Sequence, residues 1–165
     1  MSSGLRYGGG SFIMDCARII VMIGVQVQHY LGRAREFLIG MRDLRNAEVF
    51  VFEQSLGEYR YSPALLAIHS SISYSDALRT GMGCDDLSSD DHRNAVTDLR
   101  ARLTTRRFGV LEGTNQLAVL IGFKSKVEYS SEAVRANEIE EIVKRSERFA
   151  RWAETTGVQL QLQGW

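Results

Sequence analysis

Apolar residues return every three to four positions along most of this chain, and the polar residues between them gather on separate faces. That period predicts helices. Tyr30, Ala34, Phe37, Met41 and Leu44 form one apolar stripe of a first helix over about residues 27–45, with Arg33, Glu36, Arg42, Asp43 and Arg45 on its other faces. Before it, ARIIVMIGVQV (17–27) either extends this helix or packs as a separate arm. After it, Val49 to Phe52 is compatible with a short strand, a continued helix or a loop that plugs the core.

A second helix starts at Ser62 as N-cap with Pro63 at the first helical position, where its missing N–H costs nothing. Leu65, Ile68 and Ile72 supply its buried stripe. His69, Ser73, Asp76 and Thr80 make a separate polar stripe, and Gly81 and Gly83 are its stop. In a third helix, Ser88 and Asp91 read as a capping box. His92, Val96, Leu99 and Leu103 share one face, so His92 is expected to point into the core. Arg93, Arg100, Arg102, Arg106 and Arg107 lie on the other side.

A fourth helix from about Thr114 carries Leu117, Leu120, Ile121 and Phe123 inward and ends with Lys124, Glu128 and Tyr129. A fifth follows an N-cap at Ser131, with Ile139, Ile142, Val143, Phe149 and Ala153 in register. Its pairs Glu140–Lys144, Glu141–Arg145 and Glu147–Arg151 read as a solvated outer face. The tail 157–165 is left extended or frayed. The expected fold is all-α, an up-and-down bundle of four to five antiparallel helices over residues 27–156, preceded by a poorly ordered or accessory extension, 1–26.

Composition narrows this further. At 165 residues the chain fits one domain, and a single proline, Pro63, suits a helical one. Twenty basic residues balance twenty acidic ones, so any attraction to nucleic acid must be local. The apolar run 17–27 is too short to span a bilayer and contains Arg18, so no membrane partner is expected. Cys16 and Cys84 lack C-x-x-C spacing, which fits ordinary thiols in a reducing, cytoplasmic setting.

His92, His69 and Asp76 are the candidates for acid–base chemistry, and Ser73, Arg93, Lys124 and Tyr129 for ligand binding. His69, Ser73 and Asp76 do not form a relay by themselves, because i, i+4 and i+7 positions sit ~6 Å and ~10 Å apart along the axis. A polar seam between helices two and three is the simpler role. No metal motif occurs and no cofactor is expected: DDLSSDDH lacks the spacing and glycine of a calcium loop. Arg100, Arg102, Arg106 and Arg107 are candidate RNA contacts, although such a stripe is more often simply a solvated helix face.

HYLGRAREFLIGM, SPALLAIHSSISYSDAL, DHRNAVTDLRARL and KSKVEYS, within residues 28–150, resemble the HEPN superfamily of small bacterial helical bundles. The resemblance implies a homodimeric bundle. It implies either a metal-independent RNase of toxin–antitoxin and defence systems or a non-catalytic module that binds RNA, a nucleotide or a partner protein. Active members carry R-x4-6-H. Here the positions that would hold the arginine are Met22–Ile23–Gly24 before His29, Ser62–Pro63–Ala64 before His69 and Asp85–Asp86–Leu87 before His92. The expectation is therefore the non-catalytic module, with an RNase built on a rearranged site as the alternative.

Overall fold

The computed structural model describes residues 10–51, 61–84, 87, 92–129 and 134–165, with side chains throughout except at 10–17, 48–51 and 93. The described residues form five helices in order: α1 Gly10–Val51, α2 Ser62–Gly81, α3 His92–Thr105, α4 Glu112–Tyr129 and α5 Ala136–Gln159. There is no strand among the described residues. The all-α bundle is as expected.

The apolar run 17–27 extends the first helix rather than packing apart, so α1 is far longer than its amphipathic stripe. No proline interrupts residues 10–51, and Val27, Leu31, Ala34, Leu38 and Met41 bury one face. Positions up to 51 continue the helix. The rest of the ambiguous stretch, 52–60, lies outside the described residues, as do Ser88, Asp91 and Ser131.

α2 is the axis of the bundle and touches all four other helices. Its burial is nearly all-round: Ala64, Ala67, Ser70, Ser71, Ser73, Tyr74, Ser75 and Ala77 are all buried. Small side chains let the neighbouring backbones come close, and hydroxyls reach those backbones. Ser70 donates to the carbonyl of Ala34 in α1 at 2.8 Å, and Ser146 of α5 donates to Ala67 of α2 at 2.8 Å. Ser71 lies 2.9 Å from the Ala67 carbonyl and 3.0 Å from Ser146 Oγ; its one proton serves either acceptor. Ser73 and Thr80, read as part of a separate polar stripe, are buried in the bundle.

Three helix ends share one geometry. After α2, Gly83 N–H bonds Thr80 O and Cys84 N–H bonds Arg79 O, with Gly83 at φ 86°. After α3, Arg107 bonds Thr104 and Phe108 bonds Leu103, with Arg107 at φ 56°. After α5, Gln161 bonds Val158 and Leu162 bonds Gly157, with Gln161 at φ 51°. Each is a Schellman motif. Only the first carries the glycine that makes it visible in the sequence.

At the starts, Ser62 is already the first residue of α2, and Tyr61 is the N-cap without a side-chain bond. α5 begins after Arg135, whose N–H donates to Glu138 Oε2 at 2.8 Å.

Two expectations about α5 are corrected. Glu141–Arg145 and Glu140–Lys144 pair within the helix, but Glu140 also reaches Arg45 (3.0 Å), Glu147 reaches Arg42 (3.4 Å) and Glu154 takes a bidentate bond from Arg35 (2.8 and 2.9 Å). This face is an antiparallel ladder to α1, not simply a solvated surface. The tail is also not frayed. The turn after Gln159 folds it back, burying Leu162 and bringing Trp165 onto Gly157.

A methyl group at 157 would stand 2.0 Å from the Trp165 ring, so Gly157→Ala must expel the indole. Urea unfolding should show a loss of about 1–3 kcal/mol, and tryptophan emission in a Trp152→Phe background should shift to the red. Conversely, Gln161→Gly relieves a left-handed backbone position and should raise stability by about 0.5–1 kcal/mol in the same assay.

Candidate functional site

The polar groups of α2 divide between opposite sides of the helix, as 100° per residue requires. On one side Tyr74 donates to Glu154 at 2.9 Å. Burial and the neighbouring Glu154 carboxylate push the Tyr74 phenol up to about 12. Burial also acts to raise Glu154, but hydrogen bonds from Arg35 and Tyr74 outweigh it and hold the carboxyl below its usual range. Both groups keep one charge state near neutrality. This side is a fastening of α1, α2 and α5.

On the other side stand His69, Asp76 and Arg79, and here α3 and α4 add His92, Asp98, Arg102, Lys124 and Glu128. His69 Nε2 lies 3.1 Å from Glu128 Oε1, and Lys124 Nζ lies 2.5 Å from Glu128 Oε2. Burial works to raise Glu128, yet Lys124, Tyr129 and His69 together hold it low, so it remains a carboxylate. The Phe37 ring of α1 packs 5.8 Å from the His69 imidazole.

His92 is half-buried at the rim rather than in the core; Ala95, Leu99 and Leu103 make the buried face of α3. Burial lowers its pKa, and the positive fields of Lys124 and His69 lower it further, against an opposing pull from Glu128. The imidazole is therefore neutral at pH 7 and able to accept a proton or a hydrogen bond. His69, His92 and Lys124, which the sequence places on three separate helices, thus meet within electrostatic reach of one another.

Nearly three turns of α2 beyond His69, Arg79 is almost fully buried. Its guanidinium bonds Asp98 at 2.8 Å and Asp76 at 3.4 Å. Asp98 also accepts Arg102 at 2.9 Å, and Arg102 reaches the Met82 carbonyl at 3.3 Å, which ties α3 to the end of α2. Burial acts to raise Asp98, but its two arginines keep it low. Asp76 has the weaker partner: burial dominates over Arg79 and Arg33 and pushes it up to about 6.

The remaining candidates divide. Ser73 is buried between His69 and Asp76 on the same helix. Tyr129 is exposed at the open edge of the cluster, its ring 5.8 Å from the Lys124 ammonium. Arg93 lies outside the described side chains. The arginine stripe of α3 is not one surface. Arg102 is committed to Asp98, and Arg100 bonds Thr114 Oγ1 (3.2 Å) and Asn115 (3.0 Å) of α4. Arg106 and Arg107 are exposed in the turn after α3.

Arg79 and Glu128 hold this cluster together, and sequence reading gave neither a role. Arg79 falls three residues after Asp76, a weak signal by itself. Among the described residues no group of three or more His, Cys, Asp or Glu is placed to hold a metal ion, and no helix is long and apolar enough to cross a membrane. No family model, curated protein or solved structure matches this chain.

Asp76 sets a pH dependence of defined sign. Its folded pKa lies above the ordinary 3.8, so between about 6 and 3.8 the folded chain binds a proton that the unfolded chain releases. Its contribution to stability is therefore most favourable below that window and is lost as pH rises through it. His92, with a lowered pKa, acts oppositely below 6.5. Urea unfolding of wild type and Asp76→Asn at a series of pH values should show wild type gaining on the variant from pH 6 to pH 4.

Proposed function

We propose that this chain is a HEPN-like, non-catalytic binding module that takes single-stranded RNA or a nucleotide at the open edge of the His69–His92–Glu128–Lys124 cluster. The observation that carries this reading is the pairing state of the cluster's cations beside an exposed aromatic ring. Lys124 is held by Glu128, and Arg79 by Asp98 and Asp76. A phosphoryl-transfer site needs a cation aimed at the developing charge. These two are directed at carboxylates of their own bundle. Tyr129, 79% exposed, offers instead a flat face for a base, with imidazole, ammonium and carboxylate groups alongside for its edges.

Such a module would suit a toxin–antitoxin or defence setting in which RNA or a partner protein is held rather than cut. A second reading, a metal-independent RNase, is favoured by one observation. The neutral imidazole of His92 stands in the combined field of Lys124 and His69, an acid–base arrangement across helices.

One experiment separates the two readings. Fluorescently labelled single-stranded RNA is incubated with pure protein and a chelator, then read by anisotropy and on a denaturing gel. The expected outcome is intact RNA whose anisotropy rise is weakened about fivefold to 100-fold by Tyr129→Ala. Metal-free cleavage that disappears in a folded His92→Ala variant would replace the binding module with the RNase. RNA left both intact and unbound would remove the RNA reading altogether.

A further inference from the structure

α4 and α5 leave a cleft of about 200 Å³ between them, with Glu112, Gly113 and Gln116 on one wall and Arg148, Arg151 and Trp152 on the other. Its floor is fixed. A side chain at 113 would run into the Trp152 indole, which stacks on Phe149 at 5.5 Å and donates to the Val110 carbonyl at 3.2 Å. The arginines around α5 are otherwise matched with acids: Arg35 with Glu154, Arg42 with Glu147, Arg45 with Glu140 and Arg145 with Glu141. Arg148 and Arg151 are exposed, and neither side chain has an ion pair or hydrogen bond among the described residues. Glu147, four residues before Arg151, is drawn to Arg42 instead, so the carboxylate that the sequence offers Arg151 is withdrawn. Gln116 gives its amide oxygen to Arg145 at 2.9 Å, which leaves its N–H donors for the cleft. The one acid on the walls, Glu112, complements the positive first turn of its own helix. The cleft thus has a surplus of donors and two positive charges against one negative.

We infer that this cleft binds a phosphate group, free or as a small monoester, between Arg148 and Arg151. Two like charges one turn apart repel each other, and an anion between them removes that repulsion. Guanidinium forks match phosphate oxygens with paired, charge-assisted hydrogen bonds. The net field is positive, so the gain grows with the charge of the ligand and a dianion is preferred to a monoanion. Size narrows the class further. The cleft equals the liquid volume of about seven waters and falls below the roughly 300–1,000 Å³ of pockets for larger ligands, which suits a phosphate and not a nucleotide. This site is separate from the one proposed above, because the 18 residues of α4 place Tyr129 about 25 Å away.

Two-dimensional proton–nitrogen NMR spectra of the full chain test it, with inorganic phosphate or glycerol phosphate as titrant and sodium chloride at matched ionic strength as control. The Gly113 amide and the Trp152 indole N–H should shift saturably with phosphate and not with chloride. Arg148→Gln with Arg151→Gln should weaken that binding by at least about tenfold, with the rest of the spectrum unchanged because both sites are exposed. Glu112→Gln should tighten it about twofold to fivefold, an opposite sign that general loosening of the fold does not produce. Whichever titrant binds more tightly identifies the source of the phosphate group. Shifts that match chloride for both titrants overturn the inference, and so does binding indifferent to the double substitution. A double variant that loses labelled single-stranded RNA as far as Tyr129→Ala does would also overturn it and assign the two arginines to an RNA backbone.

Discussion

The bundle depends on a central helix that is buried on almost every side without being strongly hydrophobic. α2 contributes serines and alanines where a core helix more often brings leucines, and this changes what holds its neighbours. Close backbone approach replaces bulky side-chain packing, and each buried hydroxyl must find an acceptor or leave an unsatisfied group at about 1–3 kcal/mol. Ser70 and Ser146 meet that demand by bonding carbonyls across helix boundaries. These bonds fix α1 and α5 against α2 at particular heights, so register is set by directional contacts as well as by the fit of apolar surfaces.

With α1 and α5 fixed, the long ionic side chains between them fall into line. Arg35, Arg42 and Arg45 meet Glu154, Glu147 and Glu140 in an antiparallel ladder. Each exposed pair is worth little by itself. Glu154 is the exception in kind, because it also receives the buried Tyr74 hydroxyl and so links the surface ladder to the core. The opposite side of α2 is left to α3 and α4, and there the bundle is polar and half-open. A rigid axis with one side sealed and the other lined by titratable groups is a reasonable frame for a binding surface: the groups are held in place by packing behind them.

Charge bookkeeping distinguishes the two ends of that surface. Around Arg79 the guanidinium is almost dry and has two carboxylates, of which Asp98 has a second arginine and stays ionised while Asp76 titrates near pH 6. Around Glu128 one carboxylate serves both an ammonium and an imidazole, and the neighbouring His92 is kept neutral first by burial and then by Lys124 and His69, against the pull of Glu128. The first end is mainly structural and the second remains accessible at Tyr129.

The sequence by itself determined the helices, because period and turn chemistry are local properties. The stripe of α5, Pro63 in the first turn of α2 and the Gly81–Gly83 stop are all legible in it, while of the α1 stripe only Ala34 and Met41 are in the buried face that Val27, Leu31 and Leu38 complete. It also placed His69, Asp76, His92 and Lys124 among the residues of interest. What only tertiary structure decided was which side of each helix remains open, and that depends on how many neighbours the helix has. Ser73 and Thr80 are buried although their stripe reads as polar. Glu147 turned from its own helix to Arg42 because α1 lies within a side chain's reach. The tail folded back because Gly157 leaves room for an indole, which no period within a nine-residue segment records. Arg79 and Glu128 gained their importance from partners on other helices, and such pairings have no signature along the chain.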